Sequence, residues 1–110
     1  MSAQGRAQFT PGPWYRNIPP ANKYPTIWSG RNKHVAYIKQ LQDDSEAEAN
    51  INLIAAAPAM YEALQQLVHV EQLRKQAVTE NDYVDLVLAD NKLQQLAQTA
   101  LAQAEGQHHE

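Results

Sequence analysis

Downstream of residue 43 the apolar positions recur every three or four residues, whereas upstream they follow short alternating runs broken by prolines. A period near 3.6 marks an amphipathic helix, and a period of two marks a half-buried strand. The chain therefore divides into a β-half over 9–42 and a helical half over 43–105, read together as one domain. Residues 1–8, MSAQGRAQ, carry nothing to bury and predict a disordered lead-in, and residues 106–110 predict a frayed tail. The fold class expected is α+β: a small N-terminal antiparallel β-meander or hairpin, then a kinked helix and a C-terminal helical hairpin. No internal repeat suggests a solenoid.

The β-half opens on FTPGPWY, where Pro11 and Pro13 flank Gly12 and hold the backbone extended or turned. Trp14 follows as the anchor of this arm, and core packing is the favoured role for so large an aromatic side chain. TIWSGRNKHVAYIKQL reads as a hairpin: Thr26 to Ser29, a turn over 30–33, and His34 to Leu41. Alternation puts Val35, Tyr37 and Lys39 on one face and Ala36 and Ile38 on the other, and neither face declares itself the core. WYRNI can add a third strand ahead of the hairpin.

In the helical half, DDSEAE is a start signal, with Ser45 capping and Glu48 reaching back. A first helix is predicted from about Glu46 to Ala56, with Ala47, Ile51 and Ile54 or Leu53 on its apolar side. Pro58 interrupts the pattern. Inside a helix it would cost about 3 kcal/mol, but in a first turn its missing N–H costs almost nothing. The residue before a proline also favours extended backbone. A corner at Ala56-Ala57 is therefore predicted, with a second helix starting at Pro58. Its expected buried stripe is Met60, Leu64, Leu67 and Val68, with Tyr61 beside it and Leu73 extending it. Thr79 and Asp82 in TEND predict a capping box, and Gly106 a stop. Between them Leu86, Ala89, Leu93, Leu96, Ala97, Ala100, Leu101 and Ala104 recur at helical spacing. Leu86, Leu93, Leu96, Ala97, Ala100 and Leu101 form an Ala/Leu seam, expected to serve a homo-oligomer, because alanine-rich apolar content supplies little burial area to a monomer.

Composition narrows the chemistry. The net charge of −3 argues against nucleic acid as partner, since such proteins carry a basic footprint. Arg16, Lys23, Arg31, Lys33 and Lys39 do make the first forty residues basic, a pattern read first as a solvated sheet face. The chain has no cysteine, which removes disulfides, thiolate metal sites and cysteine catalysis. No apolar run approaches the roughly 20 residues of a membrane helix, so no membrane partner and a cytoplasmic location are expected.

Catalytic constellations are absent from the sequence pattern. His34, His69, His108 and His109 lack the spacing of a metal site, the four glycines do not form a phosphate loop, and Ser2, Ser29 and Ser45 have no nucleophile-elbow context. Glu46, Glu48, Glu62, Glu71, Asp82, Asp85 and Asp90 do not pair as a helical magnesium site requires. No catalytic residue, metal or cofactor is predicted, and the expected activity is binding. Trp14, Arg16, Tyr24, Trp28, Arg31 and Tyr37 are the candidate ligand or partner residues, because arginine and aromatic side chains near loops favour recognition.

FTPGPW, an isoleucine and a glycine ahead of HVAYI, and EANINLIAAAPAMYEAL follow one another over residues 9–68. In this order they resemble short proteins encoded by tailed bacteriophages and prophages, whose pattern is a Thr-Pro-Gly-Pro-Trp arm, a strand pair, and a helix close to EANARLIAAAPELLEAL. Ile51-Asn52 here replaces Ala-Arg of that pattern, and Ala59-Met60-Tyr61 replaces Glu-Leu-Leu. The resemblance supplies no reaction or catalytic residue. It implies a non-structural accessory role in an infected or lysogenic bacterial host cytoplasm. The leading expectation is a counter-defence binder that sequesters a small nucleotide signal or blocks a host protein. The alternatives are a nucleic-acid accessory factor using the basic β-half and a small metal-dependent nucleotide hydrolase.

Overall fold

A computed structural model describes residues 8–17, 26–30, 33–37 and 45–106. Three short strands, β1 (Trp14–Asn17), β2 (Thr26–Ser29) and β3 (His34–Tyr37), precede three helices, α1 (Ser45–Ala55), α2 (Ala57–Gln76) and α3 (Glu80–Ala104). The sheet is an antiparallel meander in the order β1-β2-β3. This is the expected α+β architecture. Most of the lead-in and tail expected at 1–8 and 106–110, and the distal part of the second hairpin strand, lie outside the described residues.

Register settles which sheet face is the core. Trp14 pairs with Ser29 and Arg16 with Ile27, so these four share the face that meets α1, while Tyr15 and Trp28 pair on the other. Between β2 and β3 the register shifts, Ile27 pairing with Ala36 and Trp28 with His34, which leaves Val35 as an extra residue. Such a bulge breaks strict alternation. Val35 and Ala36 consequently both pack against the core of Ile27, Ile51 and Ala55, joined by Trp14 and Ile54.

Ser45 opens α1, and the Glu48 carboxylate pairs with the Arg16 guanidinium; the side chain of Ser45, and with it the expected capping pair, lies outside the described residues. Ala47 and Ile51 are buried, Ile54 is half-buried and Leu53 is exposed. The chain then turns at Ala56, and α2 begins at Ala57, so Pro58 occupies its second position, where a missing N–H is still free of cost. Ala55 and Ala56 are buried at this corner, where small side chains let the helices approach.

The larger correction concerns α2. Leu64, Leu67 and Val68, expected inside, are exposed, and Val70 is buried instead. The inward positions are Ala59, Ala63, Gln66, Val70, Leu73 and Ala77, spaced 4-3-4-3-4 as in an antiparallel coiled coil. The α3 seam answers with Asp82, Leu86, Ala89, Leu93, Leu96, Ala100 and Gln103 in the same spacing. The Gln66 side-chain amide donates to the Ala89 carbonyl at 2.9 Å across the pair. Leu64 and Leu67 are larger, but apart from Leu73 the α2 side of the seam is alanine, valine and glutamine.

The hairpin is closed by the predicted capping box. The Asp82 N–H donates to Thr79 Oγ1 at 3.1 Å, and Asp82 Oδ2 accepts from the N–H groups of Thr79 and Val78, each at 3.0 Å. The bonds from Thr79 and then Val78 hold the Asp82 carboxyl below the usual aspartate range. Because its folded pKa is depressed, the stability it contributes is present above the unfolded pKa and lost as pH falls through the folded one. Thr79→Ala is expected to cost about 1 kcal/mol in urea unfolding. Asp82→Asn is expected to flatten the loss of stability below the ordinary aspartate range, read by the same titration at stepped pH. Gly106 ends α3 at φ +80°, as the stop signal implied.

Candidate functional site

The N-terminal arm crosses the start of α2. A β-carbon placed on Gly12 would lie 2.7 Å from Cβ of Pro58, so only glycine lets the arm pass this close to the proline ring. The Gly12–Pro13 peptide is cis. Beyond it the Trp14 indole N–H donates back to the Thr10 carbonyl at 3.0 Å, and the Gly30 N–H donates to the Pro13 carbonyl at 3.0 Å. The arm is thus fixed to the helices at Pro58 and to the hairpin at Gly30.

From the opposite side Gln103 reaches in. Its amide donates to the carbonyls of Trp14 at 3.1 Å and Ala55 at 3.0 Å. The Ala55 carbonyl is one of those left without an intrahelical partner at the end of α1. One side chain therefore ties the ends of α1 and α3 to the arm.

These constraints leave an open cleft of about 570 Å³ between arm and helices, lined by residues that include Phe9, Trp14, Tyr61, Glu62, Gln65 and Gln103. Phe9 stands edge-on to both other aromatic rings, its centroid 6.3 Å from Trp14 and 5.0 Å from Tyr61. Edge-to-face packing of this kind contributes about 0.5–1.5 kcal/mol per pair beyond area burial and holds the ring geometry. Glu62 is the one charged residue among the described residues lining the cleft. Aromatic faces and a carboxylate attract apolar, aromatic or cationic groups. Among the described residues no lysine or arginine lines the space to balance a phosphate.

The candidate residues from the sequence divide among different places. Trp14 forms a wall of the cleft while packing on the core. Arg16 is committed to α1, donating to Asn52 Oδ1 and pairing with Glu48. Trp28 is on the outer sheet face, where its N–H donates to Thr26 Oγ1 at 2.8 Å and its ring meets His34 edge-on at 5.0 Å. Tyr24 and Arg31 lie outside the described residues, as does the side chain of Tyr37. In the α3 seam, Ala100 is buried and Leu86, Leu93, Leu96 and Ala97 are half-buried, while Leu101 is exposed. Phe9, Tyr61, Gln65 and Gln103 were not anticipated. Gln103 had a usable signal, since it continues the α3 seam spacing three residues after Ala100.

The class is now defined: a small α+β protein in which an N-terminal arm, a three-stranded sheet and a helical hairpin enclose an aromatic cleft, with no helix among the described residues long and apolar enough to cross a membrane. Residues 1–108 match the model of the family described as Salmonella phage P22 protein Y8K6, and the chain belongs to that family. That description places it among phage proteins and states no activity. No curated protein and no solved structure matches the chain.

Proposed function

We propose that the protein is a non-enzymatic phage accessory protein that acts by binding, and that its counter-defence role is to block a host protein through the cleft between arm and hairpin. The observation that carries this reading is the cleft itself: three aromatic walls with one carboxylate. Aromatic anchors in concave surroundings are where binding energy concentrates in protein recognition. Sequestration of a nucleotide fits less well, because no lysine or arginine is among the described residues that line the cleft to pair with its phosphates. Arg16, the cation nearest in sequence to the arm, is already engaged by Glu48 and Asn52. The same engagement weakens a nucleic-acid role for the β-half.

The test is native mass spectrometry of the protein purified from bacteria, beside Gln65→Trp. Gln65 is an exposed cleft residue, so a larger ring there obstructs the cleft without entering the core. The wild type is expected to carry a host protein at fixed stoichiometry, and Gln65→Trp to be bare with an unchanged circular dichroism spectrum. A small bound mass in place of a protein would return the nucleotide reading to the front. A host protein retained equally by both forms would remove the cleft from the interface.

A further inference from the structure

The tip half of the helical hairpin is under-covered for a folded monomer. Among the described residues the buried apolar side chains are Ile27, Ile51, Val70 and four alanines, a small core for this chain length. The molecule extends 60 × 29 × 21 Å, with a radius of gyration of 17.4 Å against the roughly 13 Å of a compact chain of this size. Over YVDLVLA, residues 83–89, α3 is apolar on both sides. Leu86 and Ala89 face α2, and Tyr83, Val84, Val87 and Leu88 form an open apolar groove on the outside. A helix that is apolar all round is normally buried all round.

We infer that this outer face is the interface of a twofold dimer, in which α3 of each copy packs antiparallel on α3 of the other around Val87. The area matches a second copy. Tyr83, Val84, Val87 and Leu88 are each exposed by 53–62%. Together they present on the order of 350 Å² of apolar surface. At the about 65% apolar composition of homodimer interfaces, this corresponds to roughly 500 Å² per protomer, or about 1,000 Å² for the pair, the size at which a specific interface begins.

The register is also self-compatible. An antiparallel pair centred on Val87 sets Glu80 of each copy against Gln94 of the other and Tyr83 against Asn91. Glu80, the one charged residue among the described residues lining the groove, then meets an amide and not another acid. The twofold closes the contact at two copies. Cleft and dimer face occupy opposite ends of the hairpin: Thr99 and Gln103 line the former, and residues 80–88 the latter. Each dimer therefore presents two open clefts. The α3 seam first suggested for self-association is occupied within the chain, so its exposed back takes that role.

Sedimentation-velocity ultracentrifugation of the full chain over a concentration series tests this, beside Val87→Glu, Leu88→Arg and Ala49→Glu. Val87 and Leu88 are exposed in the monomer, so charging either is expected to leave the helical circular dichroism unchanged while converting dimer to monomer. Ala49, exposed on α1, takes the same charge away from the groove and is expected to remain dimeric. A wild-type chain that stays monomeric through the micromolar range overturns the inference. So does a dimer that survives both groove substitutions, or a trimer or larger ring.

Discussion

Ile27→Ala is expected to destabilise the protein by about 2–5 kcal/mol, the range for truncating a fully buried aliphatic side chain to alanine. Ile27 has no exposed surface and is the one fully buried residue among the described large apolar side chains of the sheet. It joins Ile51 and Ala55 of α1, and Trp14, Val35 and Ala36 close around it. The sheet rests on α1 through this cluster, and its other face is left to Tyr15, Trp28 and His34. Domains of this kind are stable by only about 5–15 kcal/mol, so the loss is a large share of the total. Urea unfolding followed by tryptophan fluorescence reads it directly, because both tryptophans, Trp14 and Trp28, are in the strands. Leu53→Ala on the exposed side of α1 is expected to shift the same midpoint by less than about 0.5 kcal/mol. Equal effects would place the core on the wrong side of α1.

The second large effect is expected at the crossing of arm and helix. Gly12→Ala puts a methyl carbon 2.7 Å from Pro58 Cβ and 3.3 Å from Pro58 Cγ, both carbons of a rigid ring. Neither the proline ring nor the adjoining helix can swing aside as a flexible side chain would, so the arm must lift. Overpacking of this kind costs about 1–3 kcal/mol. Lifting the arm also draws Trp14 and Phe9 away from Tyr61, which opens the cleft. Near-ultraviolet circular dichroism is expected to lose aromatic signal, and binding of the proposed host partner is expected to fall at least tenfold. Pro58→Gly removes the opposing carbons, so the Gly12→Ala/Pro58→Gly pair is expected to be less destabilised than the sum of the single changes. An additive cycle would show that Gly12 and Pro58 do not meet.

These two sites show what the sequence made legible and what it hid. The break at Pro58, the capping box at Thr79 and the stop at Gly106 are local signals, written within a few residues, and each was readable. The strand pairing around Gly30 was readable for the same reason. Val35 was not, because a bulge changes which side chains face the core without changing the alternation in the sequence. The α2 stripe was misread because leucine and valine at helical spacing describe a face that is apolar, not a face that is covered. Covering is decided by α3, whose partner positions Ala59, Ala63, Gln66 and Val70 are small or polar. The cleft depends on contacts across long separations, such as Gln103 with Trp14 and Ala55. No single stretch carries it, although Gly12 and Pro58 each mark one end.

The most direct test is site-specific photo-crosslinking in bacterial cells expressing the full chain. A benzophenone amino acid is placed at Gln65 in the cleft and, in a second chain, at Trp28 on the outer sheet face. A cross-link from Gln65 to one host protein, lost when Gly12→Ala is added and absent from Trp28, is the expected result. A cross-link from Trp28 alone, or one from Gln65 that survives the lifted arm, would contradict a cleft that works as the binding surface.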